Sequence, residues 1–424
     1  MKKFLKLMTT IALSSSIAMT GLNPLFASAQ EGEVIELEWW YAFTGSSQEN
    51  NDALTQQFNE TVGAEEGIHV TATTQGNYND IYTKIQAGFV AGEVPHVSVV
   101  NSLSIVQFGK NNMLEPLEPY ADQEAMDDFY PGLLLNSYYD GVQYGYPYLR
   151  STPIMYYNSS LFGELGIDEN LDTLDNVLTA AQTLVDNGHD GLGLVADQWH
   201  FDGLLRQNGG GWLNEDQTEA ITASPENQEI FQKLRDAQAA GIVKFYNSGD
   251  EIAQAYTNQQ VGMWFQSTGS LTNTLQIAED QGFEINTAFI PTNSDVRNVP
   301  TGGNNIAMIA GHSEEEKEAA AIFMNWLVQP EQVVHSHIVT GYLPTRQSVA
   351  DNEQIVALYE ETPQFRTALE QLDYAGIEPN APGYAEIVQV EQEMIQEIFI
   401  TDTDLEEILT RTQENINQIL EANR

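Results

Sequence analysis

The sequence predicts an α/β protein of two lobes, each a mostly parallel sheet flanked by helices, with a cleft between the lobes. Three observations carry that expectation. Residues 34–100 alternate strand and helix patterns in the order β-α-β-α-β, which makes neighbouring strands parallel through crossover helices. A later apolar strand pattern, Gln260-Val261-Gly262-Met263-Trp264-Phe265, opens onto the polar turn Gln266-Ser267-Thr268-Gly269-Ser270-Leu271, the kind of place where open α/β sheets take ligands. The chain has 424 residues, room for two domains, and shows neither an internal repeat nor a low-complexity linker. Two lobes that share one chain, crossing between them more than once, satisfy all three.

The elements follow in order. Val34 to Trp40 alternates apolar and acidic residues, a strand with one buried face. Gln48 to Thr61 carries Leu54 and Phe58 at helical spacing. Ile68 to Ala72 is a second strand, and Asn79 to Phe89 a helix with Ile81, Ile85 and Phe89 on one face. Val94 to Val100 reads as a third, buried strand. The segment Arg150-Ser151-Thr152-Pro153-Ile154-Met155-Tyr156-Tyr157-Asn158 reads as a strand leaving one lobe and entering the other. Leu174 to Asp186 and Asn227 to Ala240 are amphipathic helices, and Asn304 to Ala310 a strand. Ser313 can cap a helix with Glu314, Glu315 and Glu316 in its first turn, where the helix dipole favours anions; Pro330 marks its end. Leu405, Ile408, Leu409, Ile416, Ile419 and Leu420 form the apolar face of a closing helix.

The ends and the charge bound the function. Lys2, Lys3 and Lys6 precede a short apolar run and Ala27-Ser28-Ala29, so residues 1–29 read as a cleavable signal peptide and the mature chain as exported, periplasmic and soluble. With no cysteine there is no disulfide, no thiol chemistry and no lipid attachment at this signal. There are 61 acidic and 16 basic residues, a net charge of −45, which repels phosphate backbones and anionic membranes and argues against nucleic-acid binding. In such a chain any basic residue beside a candidate site carries weight.

Several segments end strands with polar or aromatic residues: Tyr78 after the second strand, Asn101 and Ser102 after the third, Arg150 and Ser151 at the lobe crossing, Ser267 and Thr268 after the apolar run, Gly303 at a second crossing, and Tyr342 in a Gly-Tyr-Leu-Pro turn. They come from all parts of the chain, as a cleft between lobes requires. Trp199 lies in an irregular stretch, Asp197 to Phe201, where an indole can face the C–H surface of a polyol. Gly209-Gly210-Gly211-Trp212 lacks the Lys-Ser/Thr of a P-loop. His335 and His337 are two apart, so a helix turns them to different sides, and no metal site is expected. No G-x-S-x-G elbow occurs, and carboxylates are too many to single out an acid/base pair. No catalytic residue and no cofactor are expected.

Trp39-Trp40, Gly76-Asn77-Tyr78, Arg150 to Asn158, Thr301-Gly302-Gly303 and Thr340-Gly341-Tyr342-Leu343-Pro344 occur in an order that resembles family 1 of the extracellular solute-binding proteins of ABC importers, most closely its glycerol-3-phosphate-binding branch. The resemblance implies the type II periplasmic-binding fold, with lobe I over 30–148 and 302–343, and lobe II with the C-terminal helices over 149–301 and 344–424. It implies a monomer that performs no chemistry, takes a small solute into the cleft and passes it to membrane permease subunits. Tyr78, Ser267, Gly303 and Tyr342 would contact the ligand and Trp199 would wall it. The chain departs from the family in three places. A glutamate expected after the third strand is replaced by Asn101-Ser102, a serine at the crossing by Arg150, and a phosphate-gripping arginine near the C-terminus by the region of Val388. Arg150 either restores the lost cation for a phosphate ester, or the ligand is a neutral sugar or polyol and Arg150 donates to its hydroxyls or pairs with a carboxylate. A secreted glycan-active enzyme is the alternative of another class; it requires two carboxylates at fixed separation in the cleft.

Overall fold

The computed structural model describes residues 34–294 and 297–423; the signal peptide expected over 1–29 lies outside them. Ten strands make two five-stranded sheets: β1 (Ile35–Tyr41), β2 (Ile68–Thr74), β3 (Val97–Val100), β4 (Gly145–Ser151), β5 (Pro153–Asn158), β6 (Asp190–Leu194), β7 (Val243–Phe245), β8 (Val261–Ser267), β9 (Ile285–Ala288) and β10 (Gly302–Met308). The first sheet has the order β2-β1-β3-β10-β4 and the second β9-β5-β8-β6-β7. In the first, β1 is parallel to β2 and β3, while β10 is antiparallel to both neighbours and so runs alone against the other strands. In the second, β5 is the reversed strand. Both sheets are therefore mostly parallel, as the alternating pattern requires, with one return strand each.

The local reasons for these elements are plain in the side chains. β1 buries Leu37, Trp39 and Tyr41 and exposes Glu36 and Glu38, the period-two alternation of a half-buried strand. Helix α1 (Ser46–Glu60) buries Leu54 and Phe58. Helix α2 (Tyr78–Ala91) starts at a capping box in which Asn77 accepts from the Asp80 N–H and Asp80 reaches back to Asn77. β3 starts at Val97 rather than Val94, because Pro95 has no N–H to give a ladder. Asn101 caps α3 (Ser102–Lys110), and α4 is Leu174–Asp186.

One expectation needs correction. Trp199 does not lie in irregular chain: α5 runs from Gln198 to Arg206, and the Asp197 carboxylate accepts from the N–H groups of Trp199 and His200, both at 3.0 Å. An aspartate cap had outweighed the modest helix preference of Trp, His and Phe. The helix capped by Ser313 ends before Pro330, as expected, and the proline has a second use. After α6 (Pro225–Ala239) and α7 (Leu271–Gln281), α8 spans Glu314–Leu327 from the expected Ser313 cap, and Pro330 opens α9 (Pro330–Thr340) at its first position, where its missing N–H costs nothing. Helices α10 (Tyr384–Ile400) and α11 (Leu405–Asn423) close the chain.

The chain passes between the sheets at Thr152, which separates β4 from β5, and again before β10. Thr152 is held on both polar groups: its N–H donates to Thr268 Oγ1 at 3.3 Å and its carbonyl accepts from the Thr268 N–H at 3.0 Å. Each sheet has its own apolar core. In the first, Phe323 of α8 meets Trp39 edge-on with centroids 5.2 Å apart and Phe58 at 4.9 Å. Phe323 is fully buried, so Phe323→Ala should cost about 3–5 kcal/mol of stability. Urea unfolding followed by tryptophan fluorescence reads this directly; a loss below about 1 kcal/mol would mean that the aromatic cluster relaxes around the cavity.

Candidate functional site

Arg150 sits at the end of β4, gripped by backbone on both sides. It pairs with Gly303 of β10, and the Leu343 N–H donates to its carbonyl at 2.8 Å. Gly303 has φ +83°, and a Cβ there would run into the Leu149 carbonyl, so the second glycine of Thr-Gly-Gly is required by the backbone itself. The Arg150 side chain is 0% exposed. Its Nη2 donates to Thr301 Oγ1 at 3.2 Å, while Nε and Nη1 have no partner. It forms no ion pair among the described residues. Burial lowers its pKa to about 10, against the pull of Glu378 and Tyr78, so the guanidinium stays charged at neutral pH.

Around it stand the tyrosines. Tyr78, the first residue of α2, accepts at its hydroxyl from Asn304 Nδ2 at 3.1 Å. The Tyr342 hydroxyl lies against those of Tyr78 and Ser47. Burial first, then the neighbouring Tyr342, raises Tyr78 well above the usual phenol range, so both rings are neutral donors. Tyr342 is set by what precedes it. Gly341 ends α9 with φ +84°, and buried His337 donates through Nδ1 to the Tyr342 carbonyl at 2.6 Å while its Nε2 accepts from the Tyr359 hydroxyl at 3.1 Å. Both ring nitrogens of His337 are thus used, and burial lowers its pKa to about 4. The Tyr342 ring lies on Gly269: a Cβ there would come within 2.5 Å of the ring.

Ser102, the first residue of α3, donates its hydroxyl to the carboxylate of Glu378. Glu378 follows a short strand (Ala375–Gly376) paired with Val299–Pro300, and its loop is pinned by Arg206, which donates from Nη1 to the Ile377 carbonyl at 2.8 Å and from Nε to Asp202 at 2.9 Å. Burial raises the Glu378 pKa to about 7; Ser102 and Arg150 oppose this and Asp202 adds to it. Two further carboxyls lie behind: Asp202, ion-paired with Arg206, and the fully buried Glu391, which accepts from the Tyr384 hydroxyl at 3.3 Å.

The other expected residues fall around this cluster. Trp199 donates from Nε1 to the Thr301 carbonyl at 3.3 Å, and its ring lies on Gly302 so closely that a Cβ there would come within 2.5 Å of it. Ser267 Oγ accepts from the Gly269 N–H at 3.1 Å, capping the turn under Tyr342. Ser151 pairs with Gly302, and strand alternation turns it away from Arg150. The structure therefore joins Tyr78, Ser102, Arg150, Gly303 and Tyr342, sets Trp199 beside them, and gives Ser267 a turn to hold. Ser47, Thr301, Asn304 and Glu378 escaped the sequence reading. Thr301 and Asn304 flank the Gly-Gly pair and could have been read from it; nothing marks Glu378 among 61 acidic residues.

Away from the cluster, His96, His312 and Glu316 have ligand-type atoms within 4.8 Å of one another. His96 Nδ1 accepts from the Glu38 N–H at 3.0 Å, which leaves the ring proton on Nε2, facing Glu316. The central cluster is of another kind. It offers unpartnered guanidinium donors, one carboxylate acceptor, phenol donors and aromatic faces, a set suited to holding a hydroxylated or anionic solute without reacting with it.

Residues 53–367 match the family model described as bacterial extracellular solute-binding protein. The sn-glycerol-3-phosphate-binding periplasmic protein UgpB of Brucella suis is 26% identical over 390 residues, 87% of either chain. Among solved structures, UgpB from Mycobacterium tuberculosis in complex with glycerophosphocholine superposes with a TM-score of 0.80 at 23% identity, over 92% of this chain and 99% of that one. The cyclic alpha-maltosyl-1,6-maltose binding protein from Arthrobacter globiformis gives 0.79 at 24%, over 92% and 100%. The fold is thus shared with binding proteins for a phosphodiester and for a sugar alike, and the chain belongs to the bacterial extracellular solute-binding proteins.

Proposed function

We propose that this chain captures a small polar solute between two lobes built on the two sheets and delivers it to the membrane permease of an ABC importer. Members of its family are solute-binding components of such importers and not enzymes. The solute is a glycerol-3-phosphate- or glycerophosphodiester-like compound or a sugar, the chemistries named for its relatives. The observation that carries the reading is Arg150: a cation withdrawn from water, with two nitrogens unpartnered, and with Tyr78 and Glu378 near enough to act on its charge. Burying an unpaired charge is costly, and a solute oxygen accepting from those nitrogens offsets that cost.

Export through residues 1–29 and action as a monomer belong to the same proposal. The net charge of −45 opposes an approaching anion only within about a screening length, ~8 Å at physiological salt, so it does not by itself bar a phosphate ester. Cleavage of a glycosidic bond needs two carboxyls placed on that bond. Here Asp202 is committed to Arg206 and Glu391 to Tyr384, which leaves Glu378 alone beside Arg150. Ligand bridging the two lobes favours the closed arrangement by its differential affinity for it.

Three outcomes follow. Arg150→Lys keeps the charge but not the planar donor set, and should weaken calorimetric binding of sn-glycerol-3-phosphate or maltose, whichever the parent takes, about tenfold, with Arg150→Ala weaker still. Parent-like affinity in both variants would make Arg150 a structural residue. Trp199→Ala should cost about 1 kcal/mol of binding with an unchanged circular-dichroism spectrum; unaltered affinity would reduce the indole to packing on Gly302. Saturating ligand should lower the radius of gyration in small-angle scattering, and identical curves would contradict closure about Thr152.

A further inference from the structure

Glu378, which is half-buried, and Arg150, which is fully buried, are neighbouring opposite charges that form no ion pair among the described residues. Glu378 acts on Arg150 electrostatically, yet Arg150 Nε and Nη1 are left without partners. Direct contact would satisfy both groups. Both backbones are held: Arg150 is gripped between Gly303 and Leu343, and the Glu378 loop is tied at Ile377 by Arg206. Ser102 takes only part of the carboxylate's accepting capacity, which amounts to about four lone-pair sites. What fits between a fixed donor and a fixed acceptor is a molecule with an acceptor oxygen next to a hydroxyl. Glycerol phosphates and sugars both present that pair.

We propose, resting on the solute-capture reading above, that Glu378 is a specificity-determining residue of the cleft: it accepts a hydrogen bond from a solute hydroxyl while Arg150 donates to a neighbouring solute oxygen. Ser102, just past the third strand, donates to that carboxylate and so helps to hold it.

The charged and titratable groups acting on Glu378 are Arg150 from β4, Asp202 and Arg206 from α5, and Tyr384 from α10, with Glu391 behind Tyr384. Because burial lifts the folded pKa to about 7, above the unfolded value of ~4.3, the ionised carboxylate costs stability above pH 7, and that cost fades as pH falls toward the unfolded value. The acceptor form needed for a hydroxyl is the same ionised form, so affinity should decline over the same pH interval.

Two sets of measurements test this. Without ligand, Glu378→Gln should raise Tm relative to the parent at pH 8, by less at pH 5.5, and hardly at all near pH 4; an equal or lower Tm at pH 8 contradicts a desolvated, ionised carboxylate. With ligand, calorimetric titration of sn-glycerol-3-phosphate and of maltose separates the two solute sources. For whichever binds, Glu378→Gln should raise Kd at least tenfold at pH 8, and the ratio of variant to parent should shrink toward one at pH 5.5; the ratio cancels the ligand's own ionisation. If the phosphate ester is the ligand, n-propyl phosphate, which lacks hydroxyls, should change less than twofold. Should Glu378→Gln fail to fold, Glu378→Asp keeps the charge but shortens its reach, and should bind more weakly with the parent's pH dependence. Parent-like affinity in the variants, or a ratio that grows on acidification, overturns the role of Glu378 and leaves solute capture standing. If neither solute raises the parent's Tm, solute capture of these classes fails and this role with it.

Discussion

A guanidinium taken out of water without a carboxylate to neutralise it sets the terms for the residues around it. Such a charge is tolerated only where hydrogen bonds and fixed dipoles replace its hydration. Thr301 supplies one of these, Tyr78 and Glu378 add favourable potential, and the remaining nitrogens are left for a partner that the protein itself does not provide. The glycine at 303 belongs to the same constraint, since only a residue without Cβ lets β10 run close beside the Arg150 backbone.

The other arginines show that this is a matter of placement and not of scarcity alone. Arg206, Arg346 and Arg411 each meet a carboxylate, and Arg235 donates to the carbonyls of Thr401 and Thr403. With acidic residues outnumbering basic ones 61 to 16, a carboxylate partner is easily found, so a buried arginine that has none is informative. Arg206 makes the contrast sharp. It is partly exposed and is spent on Asp202 and the Ile377 carbonyl, and its effect is to hold in place the loop that brings Glu378 to Ser102.

Both lobes meet this cluster through backbone as well as side chains. Thr152 is the short passage between β4 and β5, tied on both polar groups to Thr268, while the turn after Thr268 supports the Tyr342 ring through Gly269. On the other passage, Thr301 joins Arg150 to the Trp199 indole. Movement of one sheet relative to the other would therefore be felt first at the residues that surround the guanidinium, which is where a bound solute can bias it.

The sequence alone determined what is local or periodic. Alternation in β1, the apolar stripes of α1, α2 and α4, the Ser313 cap and the change from strand to polar turn at Ser267 all depend on neighbours a few residues apart, and each stood in the structure where it was expected. Ordered motifs were enough to name the family and to collect Tyr78, Ser102, Arg150, Gly303 and Tyr342. Where local signals competed, they misled: aromatic residues at 199 and 201 hid a helix that the Asp197 cap starts. Only the tertiary structure could decide which of many carboxylates stands beside Arg150. Ser102 and Glu378 are 276 residues apart, and their meeting depends on a loop pinned by Arg206 from a different element. Spacing and composition carry no trace of such a contact, because it is made by the packing of whole elements and not by the chain's local preferences.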